Sequence, residues 1–184
     1  MIVHFRYVCL ALVVAIVAVA QPVMVAMQSA RVGGPPLPVN AAPAEEMHGD
    51  WRVTCAQQEG KRVCVFSQQQ TNKETGQLLL AIELRALLPD FAEGTLILPF
   101  GLALQSPISL EINNAPIGTP LLVRTCLPVG CLAGVSLDAG MIASLKKAQS
   151  LAVRATVDGG QGAVFTISLN GFSNALDRTA ALTQ

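Results

Sequence analysis

The 184-residue sequence predicts an all-β domain, an antiparallel β-sandwich with one or two short helices, preceded by an N-terminal apolar helix or signal segment. Three observations carry that prediction. Apolar residues recur at every second position in four separate segments, which is the side-chain period of a strand with one buried face. The turn chemistry of Thr75-Gly76, Asn113-Asn114 and Asp158-Gly159-Gly160 separates those segments at a spacing that suits a sandwich. Four cysteines beyond the leader fall into two local pairs, the pattern of a disulfide-stapled exported domain.

Residues 1–30 form a leader. One cation, Arg6, precedes the unbroken apolar stretch from Val8 to Ala20, and Ala18-Val19-Ala20 supplies a small-x-small cleavage pattern before Gln21. Apolar character resumes after Pro22 and runs to Ala30. As a helix, residues 7–30 would span about 36 Å, enough for a hydrocarbon core of about 30 Å. Two expectations therefore stand together: a signal peptide cut after Ala20, or an uncleaved membrane anchor over residues 7–30. Both export the domain, making it periplasmic or secreted in the first case and held at the inner membrane in the second. Lipidation at Cys9 is not expected, because Arg6-Tyr7-Val8 is not the pattern that lipidating enzymes read. Residues 31–48 read as a Pro/Ala-rich linker, since positions 33–46 hold four prolines and no hydrophobic period. The folded domain is expected over 49–178, with 179–184 as a tail.

Within the domain, Trp51 to Cys55 alternates apolar and polar, Glu59-Gly60 offers a turn, and Val63 to Phe66 follows as a second strand. A two-residue turn at 59 and 60 sets Cys55 opposite Cys64 on a non-hydrogen-bonded pair, where Cα atoms are about 4.5 Å apart and a bridge is feasible. Trp51 is expected inward, in the core. Leu78, Leu80, Ile82 and Leu84 share one parity, as do Ile108, Leu110 and Ile112. Leu151, Val153, Ala155 and Val157 form a third such set, and Phe165, Ile167 and Leu169 a fourth. Thr95 to Leu98, Leu121 to Thr125 and Cys131 to Leu137 are further, weaker strands. Leu-Pro-Val-Gly between Cys126 and Cys131 is a turn signal that brings those two thiols together. Asp138 is placed to cap a short helix with Met141, Ile142, Leu145 and Ala148 on one face and Lys146 and Lys147 outside. Ser173 is the expected cap of a second helix.

Composition narrows the function. Hydrophobic residues make up 52% and charged residues 13%, so the chain is no disordered acidic or basic tail. Twelve Lys and Arg balance twelve Asp and Glu, which argues against a nucleic-acid partner, since that affinity rests on clustered cations. Two histidines, His4 and His48, are thin material for acid-base catalysis, and His48 is expected on the surface. The C-x8-C and C-x4-C spacings are not those of a zinc knuckle, and no metal or cofactor is expected. Ser144 and Lys147 match the S-x-x-K nucleophile pattern without its companion motifs. Gly134-Val135-Ser136-Leu137-Asp138 falls short of a nucleophile elbow, and no histidine follows it. No catalytic residue is nominated. Leu96 to Leu104 is the most apolar segment of the domain, read as a buried strand and turn, with an exposed edge awaiting a partner as the alternative.

A set of ordered pieces carries a family resemblance: Gly49-Asp50-Trp51 with Val53 and Cys55, Cys64, Leu98-Pro99-Phe100-Gly101-Leu102, Cys126, Gly130-Cys131 and Ala133. Leu145-Lys146, Ser168-Leu169, Gly171-Phe172 and Ala175 complete it. Together, over Gly49 to Arg178, they resemble the invasion-associated locus B family of exported bacterial proteins. The resemblance implies an all-β periplasmic or secreted domain, in a family named after a member linked to entry of a bacterial pathogen into red blood cells. It brings no catalytic residues, and the invasion role does not follow from the name alone. The expected function is a non-enzymatic domain that binds a protein or envelope component. The alternative is a membrane-anchored accessory subunit of a larger membrane complex.

Overall fold

The computed structural model describes residues 45–183; the leader, the anchor or cleavage question and most of the expected linker lie outside them. Eleven strands and two helices follow in the order β1 (Glu45–His48), β2 (Trp51–Gln58), β3 (Lys61–Thr71), β4 (Leu78–Leu88), β5 (Phe91–Leu98), β6 (Ile108–Ile112), β7 (Ala115–Leu121), β8 (Val123–Leu127), β9 (Gly130–Leu137), α1 (Ala139–Leu145), β10 (Ser150–Thr156), β11 (Gly162–Ser168) and α2 (Phe172–Leu182). Seven strands form one sheet, ordered β1-β2-β3-β4-β5-β9-β8, and four form a second, ordered β11-β10-β6-β7. All the pairings are antiparallel. The predicted sandwich is present.

The strand parities explain why two sheets form. Trp51, Val53, Phe66, Leu80, Ile82, Leu84, Leu96 and Leu98 bury one face of the large sheet in a core shared with Ile108, Leu110, Leu151, Val153 and Ile167 of the small one and with Phe172, Ala175 and Leu176 of α2, which packs on β2, β3 and β4. Fully burying a side chain of this size contributes about 1.5–3 kcal/mol, so a slip by one residue in a central strand would cost several such contributions at once. Turn residues supply the backbone that the register needs. Glu59 and Gly60 both have positive φ, 51° and 77°, as do Asn113 and Asn114 at 51° and 63°, matching the primed turns that join right-twisted strands.

Four features differ from the sequence reading. Glu45–His48, read as linker, pairs with β2 from Glu45↔Thr54 to His48↔Trp51. Helix α2 takes in residues 179–182 of the expected tail. The single strand expected from Leu121 to Thr125 is broken at Leu122: β7 closes the edge of the small sheet and β8 that of the large one, so this chain segment passes from one sheet to the other. Ser173 does not cap α2. That place is taken by Gly171 in the left-handed region, φ 87°, because a Cβ there would lie 1.9 Å from the backbone oxygen of His48. Close backbone approach outweighs the capping preference of a serine two positions on.

Asp138 caps α1 as expected, its Oδ1 accepting from the Met141 N–H at 2.8 Å. Met141, Ile142 and Leu145 are buried, and Ala148 packs partly buried beside them. No helix among the described residues is long and apolar enough to cross a membrane.

Candidate functional site

The two ends of the domain sequence meet in one place. Trp51 Nε1 donates to the Ser168 carbonyl at 2.9 Å, and the Ser168 hydroxyl donates to Asp50 Oδ2 at 2.6 Å. The Asp50 N–H donates to the Asn170 carbonyl at 3.1 Å. Gly49 and Gly171 allow this crossing, because a Cβ on either would strike backbone of the other segment. Trp51, Phe66 and Phe172 stack around it with ring centroids 5.3 to 5.9 Å apart, pairs worth about 0.5–1.5 kcal/mol each beyond their buried area. Gly49-Asp50-Trp51, Ser168-Leu169 and Gly171-Phe172 are thus a closure of the fold. The hydrogen bonds named here tie β2 to the β11–α2 connection, so these residues hold the two ends of the domain together.

Gln68 belongs to the same closure. It is buried, its Nε2 donates to the Ser168 carbonyl at 2.9 Å and its Oε1 accepts from the Ser168 N–H at 3.0 Å. Gln70 Nε2 reaches the Thr166 carbonyl. Two side-chain amides of β3 therefore stand in for the missing neighbour of edge strand β11, satisfying backbone groups that would otherwise be orphaned. The Gln-Gln-Gln run carries no compositional signal that announces this role.

The remaining nominated residues are accounted for. Ser144 donates its hydroxyl to the Gly140 carbonyl one turn back, and Lys147 lies past the end of α1, so no S-x-x-K nucleophile is assembled. Lys146 pairs with Asp177 of α2 at 3.0 Å. His48 is more covered than the sequence reading held: its side chain is 23% exposed, with Nε2 3.5 Å from Glu46 Oε2. Glu46 itself takes two bonds of 2.7 Å from Arg178. Those bonds hold the Glu46 carboxyl below its ordinary range and raise the Arg178 guanidinium. Among the described residues no group of three or more His, Cys, Asp or Glu side chains could hold a metal ion.

Both cysteine pairs are bridged. Cys55 faces Cys64 in the β2–β3 register, with Cα atoms 4.0 Å apart, and Cys126 faces Cys131 across the β8–β9 turn at 3.9 Å. The second bridge sits at the end of the large sheet where the Leu96–Leu104 segment leaves β5. Leu98 pairs with Cys131, and Gly130, φ 139°, comes so close to the Leu98 carbonyl that a Cβ would lie 2.5 Å from it. Leu96, Leu98 and Leu102 are buried as expected, but Phe100 turns out and is 56% exposed. Leu127 and Val129, flanking Pro128 in the adjoining turn, are 50% and 51% exposed. Three large apolar side chains thus project at one end of the domain. Scattered single exposures need no explanation; these three lie on two elements that the Leu98↔Cys131 and Leu127↔Gly130 pairings bring to the same end of the large sheet.

Residues 51–180 match the family model described as invasion associated locus B protein. An invasion protein B homolog of Brucella abortus (strain 2308) is 42% identical over 149 residues, 80% of this chain and 86% of the relative. Invasion protein B of Bartonella bacilliformis is 32% identical over 149 residues, covering 79% and 80%. The crystal structure of invasion associated protein B from Bartonella henselae superposes with a TM-score of 0.71 at 30% identity, over 76% of this chain and 96% of that one.

Proposed function

The chain belongs to the invasion associated locus B family, and from that premise we propose that it is an exported, non-enzymatic binding domain whose contact surface is the apolar end formed by Phe100, Leu127 and Val129. The observation that carries the reading is the exposure of Phe100 between buried Leu98 and Leu102, at the end of the large sheet where Leu98 pairs with Cys131 and the turn with exposed Leu127 and Val129 precedes it. A side chain of this size facing water contributes nothing to folding and becomes favourable when a partner covers it. Two disulfides support an oxidising compartment, the periplasm or the exterior. The partner is a protein or envelope component with an apolar counter-surface. The near-balanced charge supports a contact that depends weakly on salt.

The test is photo-crosslinking in the producing cell, with a photoreactive residue at Phe100, Val129 or, as control, Glu93 on another part of the large sheet. Adducts of one discrete size at Phe100 and Val129 but not at Glu93 are expected. Equal labelling at all three positions, or none at Phe100 and Val129, would refute the surface. A second reading, a membrane-anchored accessory subunit, rests on the apolar run of residues 7–30. N-terminal sequencing of the mature protein decides it: a chain starting at Gln21 removes the anchor.

A further inference from the structure

The two disulfides differ in what surrounds them. Cys55 and Cys64, on internal strands β2 and β3, are 4% and 1% exposed. Cys131 is equally covered at 2%, but its partner Cys126 is exposed on β8, an edge strand of the large sheet. Strand β8 is held by β9 alone, through four residue pairs with a register shift between Val123 and Thr125. Cys126 is thus the one exposed residue among the four bridged cysteines, which gives a nucleophile from solvent an approach to this bridge that the Cys55–Cys64 bridge lacks.

We propose that the Cys126–Cys131 bridge is a thiol-exchange site and that the Cys55–Cys64 bridge is not. An external thiolate attacks Sγ of Cys126, forming a new S–S bond there and breaking the bond to Cys131. Sγ of Cys131 leaves as a thiolate and takes a proton from solvent. A second thiolate then attacks the external sulfur of this mixed disulfide. Cys126 is released as a thiolate and protonated, so two thiols are oxidised to one disulfide while one protein disulfide is reduced to two thiols. The ligand class is a thiol, either a small monothiol or a dithiol. Exchange at an accessible sulfur outruns exchange at a buried one because the nucleophile must reach the S–S bond. Opening the bridge releases the covalent hold on β8, beside Leu127 and Val129; the proposal stands whether or not those residues bind a partner.

The experiment treats the full chain in mild detergent with glutathione, or with dithiothreitol at equal thiol concentration, quenches samples by alkylation and reads each cysteine by peptide mass spectrometry. Emission of Trp51, the sole tryptophan, is followed in parallel. Cys126 and Cys131 are expected to be alkylated at least about tenfold faster than Cys55 and Cys64, with the glutathione adduct on Cys126. Trp51 emission is expected to hold steady while only the first bridge is open. Faster opening by the dithiol, or by glutathione, identifies which thiol source the site serves. Equal rates for the two bridges, an adduct on Cys131, or a Trp51 change that tracks the first cleavage overturns the proposal, the last because exchange would then require unfolding.

Discussion

Replacing Gln68 tests whether side-chain amides close the β11 edge. In Gln68→Leu the Ser168 carbonyl keeps its bond from Trp51 Nε1, but the Ser168 N–H loses its acceptor in a part-buried site. An orphaned donor of this kind costs about 1–3 kcal/mol, and the lost bond to the carbonyl adds about 0.5–1.5 kcal/mol. Leucine's greater apolar burial returns about 1 kcal/mol, leaving a net loss of about 0.5–3.5 kcal/mol. Gln68→Glu should lose more at neutral pH. Its carboxylate still accepts from the Ser168 N–H but meets the Ser168 carbonyl without a proton to donate, and it carries a buried charge. Both effects raise its folded-state pKa, so this variant's stability is greatest below the unfolded value of about 4.3 and is lost as pH rises through the folded one. Urea denaturation followed by Trp51 emission, at pH 4 and pH 7, measures both variants. A Gln68→Leu midpoint equal to that of the unaltered protein, or a Gln68→Glu deficit that does not shrink at pH 4, would refute the reasoning.

Other consequences follow from the same geometry. Gly171→Ala should destabilise by about 2 kcal/mol or more in the same assay, since it combines a positive φ with a backbone clash at His48. The Cys55→Ala/Cys64→Ala double variant should lose about 2–3 kcal/mol by the chain-entropy model alone, and further stability from two buried side chains, whereas Cys126→Ala/Cys131→Ala should lose a similar first contribution and less from burial, since only Cys131 of that pair is covered. Thermal unfolding of the two variants side by side checks that order. The Glu46 carboxyl is held low by Arg178, so its contribution is present above the unfolded pKa and lost as pH falls through the folded one. Glu46→Gln should therefore flatten the acid limb of the stability profile between pH 7 and pH 3, and an unchanged slope in urea midpoints would contradict it.

Part of the candidate surface was legible in the residues. Leu96 to Leu104 stands out as the most apolar stretch, with an exposed edge as one of its two readings. Which residue points outward was not legible, because Pro99 and Gly101 interrupt the alternation on which facing is read, and Gly101 adopts φ 87°. Leu127 and Val129 gave no signal, since a turn residue's exposure depends on what packs behind it, here the Leu98 end of β5.

Local chemistry settled most of the domain's architecture. Strand faces came from the period of two, the two disulfide pairings from turns that separate partners by nine and five positions, and the first helix from its aspartate cap. Those features depend on residues close in the chain, where backbone geometry leaves few choices. Tertiary structure alone decided the rest: the strand at Glu45–His48, the change of sheet at Leu122, and the closure in which Gln68 reaches Ser168 across 100 positions. Such contacts carry no local signature, because they form only when two independently patterned sheets stack and their remaining backbone groups must find partners.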